Sequence, residues 1–274
     1  MDFFQAIVLG IVQGLTEFLP ISSSGHLRVV PAFAGWEDPG AAFTAVIQLG
    51  TMAAVVLYFR DDLLRIARAW LASLRDPARR SELDARLGWY LILGTLPIVV
   101  FGVAFSDQIE HGARDLYLIG TMLIVLGLLL LAAETVGRRE RDLAAIGRRD
   151  AIVIGFAQAL ALIPGVSRSG ATITAGLFLG MDRVAAARFS FLLSVPAVVL
   201  SAVYEFRDVV AGSAEGSAGL GPTAVATALA FVSGYLSIAF LLRFLTTHTT
   251  GVFVAYRVVL GTAVLALVAT GTIA

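Results

Sequence analysis

Residues 6–25 read AIVLGIVQGLTEFLPISSSG, and residues 151–170 read AIVIGFAQALALIPGVSRSG. Aligned without gaps, the two stretches are identical at nine of their twenty positions, and each is an apolar run interrupted by a proline and a serine cluster. Each half of such a run is too short to cross a bilayer core of about 30 Å, which needs about 20 helical residues. The pattern predicts two broken helical hairpins that each enter a membrane and return on the same side.

The composition excludes an ordinary soluble domain. Of the 274 residues, 58% are hydrophobic and 15% are charged, with a mean hydropathy of +0.87, whereas a soluble domain has about 25% charged residues. Twenty arginines balance twenty acidic residues, so no net positive field predicts a nucleic-acid partner. The chain has no cysteine, which excludes disulfides and thiolate chemistry. Most of the surface is therefore expected to face membrane lipid.

Three apolar runs of near-bilayer length follow each hairpin, and all are uncharged except the last, which carries Arg257 near its start. An odd number of crossings inverts the next repeat, so the expected fold class is an all-α polytopic membrane protein of two inverted-topology repeats in a single membrane domain. The first repeat is residues 1–135, with a re-entrant hairpin at 3–34 and spans at 41–59, 87–106 and 116–133. The second is residues 150–274, with a re-entrant hairpin at 151–180 and spans at 189–204, 222–242 and 252–273.

The arginines orient this arrangement. Residues 60–86 hold seven arginines and residues 134–150 hold five, and both loops fall on one side of a six-span arrangement. The opposite loops, 107–115 and 205–221, hold one arginine each. The positive-inside rule therefore predicts that the arginine-rich loops are cytoplasmic, with both chain ends and the mouth of the first hairpin outside.

The first hairpin carries an acid and hydroxyl groups where the chain breaks. Gln13 and Glu17 lie four residues apart on one helical face, and a Ser-Ser-Ser-Gly-His run follows at residues 22–26. A carboxylate at membrane depth costs about 2.5 to 3.5 kcal/mol, so it is expected to face a wet cavity or a partner. Glu17 is therefore a functional candidate, with an interfacial residue near a helix end as the alternative. His26 fits a structural or a functional role equally well.

The second hairpin is suited to an anion. Residues 164–170, PGVSRSG, end one half-helix and begin another, whose first amides are unpaired and lie at the positive end of the helix dipole. The planar guanidinium of Arg168 matches phosphate oxygens. The hydroxyls of residues 167–172 are candidate phosphate ligands, with helix capping as the alternative for each. A purely structural ion pair with Glu17 is the alternative for Arg168.

Combined, the two tips place acid and hydroxyl groups beside a cation and amide donors, which suits phosphoryl transfer. If the tips meet, Glu17 and Arg168 should lie within a substrate's width, about 5 to 10 Å. Transporters also place polar broken helices at the midplane of the membrane. A transporter or flippase of an anionic lipid or solute is therefore the competing hypothesis.

With these motifs in this order, the chain resembles the bacterial undecaprenyl-diphosphate phosphatase family, also known for bacitracin resistance. The family's (E/Q)-x-x-x-E motif matches residues 13–17, its proline-hydroxyl-glycine-histidine segment matches residues 20–26, and its P-G-x-S-R-S-x-x-T motif matches residues 164–172. The similarity covers essentially the whole chain. Position 13 is Gln rather than Glu, which removes one charge that could ligate a metal.

The resemblance implies a metal-dependent hydrolase of the bacterial inner membrane that cleaves undecaprenyl diphosphate to the monophosphate and recycles the lipid carrier of cell-wall synthesis. It implies a polyprenyl diphosphate as substrate, and Mg²⁺ or Ca²⁺, ligated by Glu17, is the expected cation because one carboxylate plus substrate oxygens suits Mg²⁺. A homodimer is left open. The candidate catalytic residues are Glu17, Ser23, His26 and Arg168. The candidate diphosphate-binding residues are Gln13, Ser22, Ser24, Gly165, Ser167, Arg168, Ser169 and Thr172.

The nucleophile stays open at this point. Ser23 activated by Glu17 or His26, His26 itself, or a water held by Glu17 all satisfy the sequence, and Ser23 with His26 as acid/base is preferred. The Ser-Gly-His segment at residues 24–26 and the Ser-Arg pair at residues 167–168 are also similar to motifs of the acid-phosphatase-like lipid phosphatases. That class needs a second histidine six residues after its arginine, where this chain has Thr174, and the similarity is rejected.

Overall fold

The computed structural model describes residues 1–106, 115–210 and 219–273, with the side chains of residue 41 and residues 201–210 left aside. The described chain is helical, apart from turns and one isolated bridge between Arg141 and Met181. Of the predicted loops, residues 107–114 and 211–218 lie outside the described residues. Residues 205–210, predicted as part of a loop, continue the preceding helix instead. The α-helices are α1 (Phe3–Phe18), α2 (Ser23–Ala34), α3 (Gly40–Tyr58), α4 (Arg60–Arg75), α5 (Leu83–Ala104), α6 (Leu116–Val136), α7 (Arg148–Ala159), α8 (Arg168–Phe178), α9 (Arg183–Val210), α10 (Leu220–Phe244) and α11 (Gly251–Ala269).

The long apolar helices make this an integral membrane protein. Within the described ranges, five helices are long and apolar enough to cross a bilayer, namely α5, α6, the Arg183–Leu200 part of α9, α10 and α11. The pair α3 and α4 forms a sixth candidate, bent by 75° at Phe59. The expected all-α polytopic membrane fold is confirmed.

Much of the predicted arginine-rich loop at 60–86 is helical instead. It forms α4, a short 3₁₀ helix (Pro77–Ser81) and the start of α5. The physical reason is the periodicity of α4: Ile66 and Ser73 are buried, whereas Leu64 and Leu71 are about half exposed beside arginines. Such an amphipathic helix is stable where water meets lipid.

The two hairpins turn in the same way. In the first, α1 ends at Phe18 and α2 begins at Ser23; in the second, α7 and a short 3₁₀ turn (Leu160–Leu162) end before α8 begins at Arg168. The aligned residues Ser22 and Ser167 both have positive φ, 77° and 70°. A side chain in this region costs of order 1–3 kcal/mol and persists only where the surroundings impose it. The repeated sequence therefore encodes the same strained turn twice.

The packing between the two halves is reciprocal. The first helix of each hairpin packs against a span of the other half, α1 on α10 and α7 on α5, while α6 packs on α11. Glycines allow the close approach: a Cβ on Gly10 would lie 2.4 Å from the carbonyl oxygen of Ala226, and one on Gly155 would lie 2.6 Å from that of Gly94. Matching helix contacts of this kind are expected between two related repeats. The inverted orientation of the repeats stays a prediction.

A buried carboxylate fixes α11 at the arginine-rich end of the molecule, where the segments 60–86 and 134–150 lie together through the bond from Arg86 to the carbonyl oxygen of Ile146. The side chain of Glu134 accepts hydrogen bonds from Arg139, Arg183, and both the amide and the hydroxyl of Thr250. These contacts join the end of α6 to the starts of α9 and α11. The position of α11 matters because this helix reaches both hairpin tips.

Candidate active site

The two hairpin tips meet through a direct ion pair. Glu17, in the last turn of α1, pairs with Arg168, the first residue of α8, and their side chains are 7% and 17% exposed. The hydroxyl of Ser169 donates to the carbonyl oxygen of Leu19 at 3.0 Å, which ties the same two tips together. The two charged groups lie closer than the about 5 to 10 Å expected across a bridging substrate, because guanidinium and carboxylate pair directly.

Glu17 also binds the hydroxyl of Ser23. The Ser23 Oγ donates to Glu17 Oε2 at 2.5 Å, and the Gln13 Nε2 donates to the same oxygen at 3.3 Å. Because the Glu17 carboxylate already accepts a hydrogen bond from the Ser23 hydroxyl, it lies where a general base for that hydroxyl has to lie. Glu17, Ser23 and Arg168 therefore form one continuous cluster of base, hydroxyl and cation.

The other serines of the two tips have matching roles in the turns. Ser22 Oγ accepts from the amide of Gly25 at 3.3 Å, and Ser167 Oγ accepts from the amide of Gly170 at 3.1 Å, so both cap the helices that follow. Ser24, whose side chain is exposed, lies 3.3 Å from the Ser22 hydroxyl.

Two predicted phosphate ligands have structural contacts of their own. Gly165 has φ +85°, and a Cβ there would lie 2.6 Å from the carbonyl oxygen of Ile119, so only glycine fits this approach to α6. Thr172 Oγ1 donates to the carbonyl oxygen of Arg168 at 2.8 Å and lies 2.6 Å from the Ser190 hydroxyl. The structure therefore does not bring Thr172 to the Glu17 carboxylate, because its side chain points towards α9.

Both ring nitrogens of His26 bind groups other than Ser23. Nδ1 lies 2.7 Å from the carbonyl oxygen of Ser22, which can only accept, so Nδ1 carries a hydrogen. Nε2 lies 2.7 Å from the hydroxyl of Tyr256 on α11. In this arrangement the His26 ring donates a hydrogen bond to the strained turn at Ser22, whereas the hydroxyl of Ser23 donates to Glu17.

Sequence reasoning assigned no role to Arg257, which holds the two tips in place. Its side chain is fully buried and donates to the carbonyl oxygen of Pro20 in the first tip and to those of Gly165 and Val166 in the second, each at 3.1 Å. It also donates to two carbonyl oxygens of α6. The available signal was a charge inside an apolar span, which is costly in lipid and marks a polar interior.

Tyr256, the neighbour of Arg257, is a second residue that the sequence left without a role. Its hydroxyl contacts His26, as described above, and its ring lies parallel to the imidazole with an interplanar angle of 6°. Helix α11 therefore positions both the histidine and the tips.

The oxygens around Glu17 fit a hard divalent cation. The Gln13 Oε1 is buried without a hydrogen-bond partner, beside the Glu17 carboxylate and the Ser23 hydroxyl. Within the described ranges, no group of three or more His, Cys, Asp or Glu side chains could hold a metal. A site with one carboxylate, an amide oxygen and substrate oxygens is the arrangement that Mg²⁺ commonly uses.

An apolar groove of about 640 Å³ begins at the second tip. It includes Pro164, three residues before Ser167, and runs between the end of α5, the start of α6 and α7. Its lining is Phe101, Phe105, Leu118, Phe156, Ala157, Ala159, Leu160, Leu162, Ile163 and Pro164.

Comparison of the sequence with known proteins identifies the family of this chain. The family model described as bacitracin resistance protein BacA matches residues 6–263. A protein of Nocardioides sp. named undecaprenyl-diphosphatase is 58% identical over 274 residues, covering 100% of this chain and 99% of that protein. Proteins of the same name from Chlorobaculum parvum and Mycolicibacterium smegmatis are each 52% identical, over 99% and 100% of this chain and 99% of each relative. The chain therefore belongs to the bacitracin resistance protein BacA family.

Proposed function

We propose that this protein is a membrane-embedded undecaprenyl-diphosphatase. It hydrolyses undecaprenyl diphosphate to undecaprenyl phosphate and inorganic phosphate, and so returns the lipid carrier to cell-wall synthesis. The observation that carries this proposal is the contact of Ser23 and Arg168 with the two oxygens of one carboxylate, Glu17, at the junction of the hairpins. The full-length similarity to proteins named undecaprenyl-diphosphatase supplies the substrate.

In the proposed reaction the second hairpin tip binds the diphosphate and the first supplies the nucleophile and the base. Arg168, the first residue of α8, and the positive end of that helix hold the diphosphate, whose oxygens displace Glu17 from the guanidinium. The Ser23 oxygen attacks the terminal phosphorus as Glu17 takes its proton, and Glu17 passes that proton to undecaprenyl phosphate as this product leaves. Water then attacks the phosphoserine, Glu17 takes a proton from that water, and phosphate leaves as the Ser23 oxygen regains a proton.

A divalent cation, Mg²⁺ or Ca²⁺, would be held by Glu17 and Gln13 through their side-chain oxygens. It would neutralise charge that develops on the phosphate oxygens. Because Gln13 contributes no charge, this site depends on the substrate for much of its negative charge.

Phosphate release tests the function directly. Purified protein in detergent, given undecaprenyl diphosphate, is expected to release inorganic phosphate, whereas a transporter of an anionic lipid releases none. Brief incubation with substrate labelled in the terminal phosphate, followed by an acid quench, is expected to leave the label on a peptide containing Ser23. Label that persists in Ser23→Ala but disappears in Ser24→Ala would contradict the assignment, and label in neither variant nor the wild type would favour direct attack by water.

The prenyl chain of the substrate is proposed to lie in the apolar groove that begins at Pro164. Filling this groove by Leu160→Trp is expected to raise KM for undecaprenyl diphosphate roughly tenfold, because apolar surface is no longer buried against the chain. A diphosphate with only three isoprene units should be hydrolysed almost as before. The control is Leu128→Trp, a similarly exposed leucine on α6 outside the groove. Equal losses for both chain lengths would place the prenyl chain elsewhere.

The protein is proposed to lie in the bacterial inner membrane with the arginine-rich end in the cytoplasm and the mouth of the site outside. Because the chain has no cysteine, single cysteines report sidedness cleanly. In the loops predicted on opposite sides, Ser213 lies outside the described residues and Ser73 is fully buried. The exposed residues Glu37 and Ser81 are therefore used for labelling. Glu37→Cys should react with an impermeant thiol reagent in intact cells, and Ser81→Cys only after lysis. The reverse pattern would invert the topology.

A further inference from the structure

A second groove lies at the arginine-rich end of the molecule, apart from the hairpin tips. Its volume is about 520 Å³, and it shares no lining residue with the groove at Pro164. Arginines form one part of the lining, and aromatic and aliphatic side chains form the rest. The full lining is Arg80, Arg86, Trp89, Tyr90, Ile92, Leu93, Leu96 and Arg148.

The lining is ordered along one face of α5. Arg86, Trp89, Leu93 and Leu96 follow one another at spacings of three, four and three residues, which places them in one stripe. Ten residues from Arg86 to Leu96 span about 15 Å of helix, which is half of a bilayer core of about 30 Å. The stripe from the cationic end to the apolar end of the groove is therefore about as long as one leaflet.

In the part of the chain that the structure describes, the three arginines of the groove form no ion pair with an acidic side chain. Arg86 Nη2 donates to the carbonyl oxygen of Ile146 at 2.6 Å, and Arg80 Nε donates to that of Ser73 at 3.3 Å. These bonds orient both guanidinium groups without neutralising them. Among the residues that the structure describes, no ion pair joins Arg80, Arg86 or Arg148 to a carboxylate, whereas the nearby Arg65, Arg79 and Arg141 each have an acidic partner.

Two aromatic residues lie between the arginine end and the leucine end of the groove. The Trp89 indole N–H donates to Ser73 Oγ at 3.1 Å, and its ring packs edge-on against Trp70. The Arg86 guanidinium carbon lies 5.8 Å from the centre of the Tyr90 ring. Tryptophan and tyrosine favour this interfacial depth because their rings are apolar and each bears one polar group.

We infer that this groove binds one anionic phospholipid, with its phosphate among Arg80, Arg86 and Arg148 and an acyl chain along Leu93 and Leu96. Three uncompensated cations favour a lipid with net negative charge over a zwitterionic one, whose own cation would be repelled. The apolar tract favours a lipid over free phosphate. The inference does not depend on the catalytic proposal.

Native mass spectrometry of delipidated protein in detergent tests the inference, with dioleoyl phosphatidylglycerol, dioleoyl phosphatidylcholine and inorganic phosphate as probes. Phosphatidylglycerol is expected to bind the wild type at one saturable site, and the R80Q/R86Q/R148Q variant at least tenfold more weakly. The matched control is R68Q/R75Q/R149Q, which removes three exposed arginines outside the groove. Its affinity should change less than twofold.

Single variants guard against a folding defect in the triple variant. Arg148→Gln should weaken phosphatidylglycerol binding severalfold, whereas Arg149→Gln, one residue away, should not. Leu96→Trp, in the apolar tract, should weaken binding as well, and Leu131→Trp, an exposed position on α6, should leave it unchanged.

Four results would overturn the inference. Equal losses in the two triple variants would mean diffuse attraction to a basic surface. Equal binding of phosphatidylcholine would remove the role of charge. Full competition by millimolar phosphate would indicate a site for a free anion. Displacement of phosphatidylglycerol by much lower concentrations of undecaprenyl phosphate would assign the groove to the lipid carrier.

Discussion

Replacing Glu17 by Gln is expected to lower kcat for undecaprenyl diphosphate about 10³-fold, the range of a lost general base. The carboxylate accepts the Ser23 hydroxyl hydrogen bond at 2.5 Å, and the amide that replaces it cannot take up a proton. The Glu17→Gln change also removes the carboxylate that pairs with Arg168. Substrate binding should therefore be retained or strengthened while turnover is lost.

The measurement is a phosphate-release assay together with binding of a non-hydrolysable prenyl diphosphate analogue. Gln13→Ala is the matched control, since Gln13 contacts the same Glu17 oxygen from one turn earlier but carries no charge. That variant should lose far less turnover, with its main effect on the concentration of divalent cation needed for activity. Turnover within tenfold of wild type in correctly inserted Glu17→Gln would remove this carboxylate from the chemistry.

Replacing Arg168 by Lys is expected to lower kcat/KM about 10²-fold, or about 2.7 kcal/mol, even though the positive charge is kept. An ammonium group has neither the planar fork nor the reach with which guanidinium binds two phosphate oxygens at once. Arg168→Ala should lose more and should weaken binding of the diphosphate analogue, which is the opposite of the Glu17→Gln pattern.

Arg183→Lys is the control for a general effect of arginine replacement. Arg183 also pairs with a buried carboxylate, that of Glu134, but lies on α9 at the arginine-rich end of the molecule. Its replacement should lower the stability of the protein in detergent without changing kcat. Near-normal kcat/KM in Arg168→Lys would exclude bidentate phosphate contact by this arginine.

The meeting of Glu17 and Arg168 was foreseeable because their hairpins repeat one sequence. Local signals sufficed for the turns. In each hairpin a proline or Pro-Gly break is followed by a Ser-x-Ser-Gly sequence, at residues 22–25 and 167–170, and both sequences form the same capped turn. The role of His26 was not foreseeable in this way. Its proximity to Ser23 in sequence favoured an acid/base role, whereas Tyr256, 230 residues away, binds the nitrogen that such a role would use.

Two further features of the structure were not evident from the sequence. Residues 60–75 look like a loop when only charge is counted, and they fold as α4 because the apolar residues recur at helical spacing. Thr172 belongs to the motif that resembles a phosphate site, yet its hydroxyl bonds to its own helix and to Ser190. A residue's spacing within a motif places it on a helix face but does not say which neighbour that face contacts.

By itself the sequence determined the membrane environment, the helical class, the two broken hairpins and the pairing of an acid in one with a cation in the other. These follow from composition, run length and short-range spacing, which act along the chain. The tertiary structure alone decided that Glu17 accepts the Ser23 hydrogen bond and that three arginines share a groove with an apolar stripe. It also decided that Arg257 binds three backbone carbonyl oxygens of the tips and two of α6. Those features arise between helices distant in the chain, where the direction of each side chain is set by packing rather than by its neighbours in sequence.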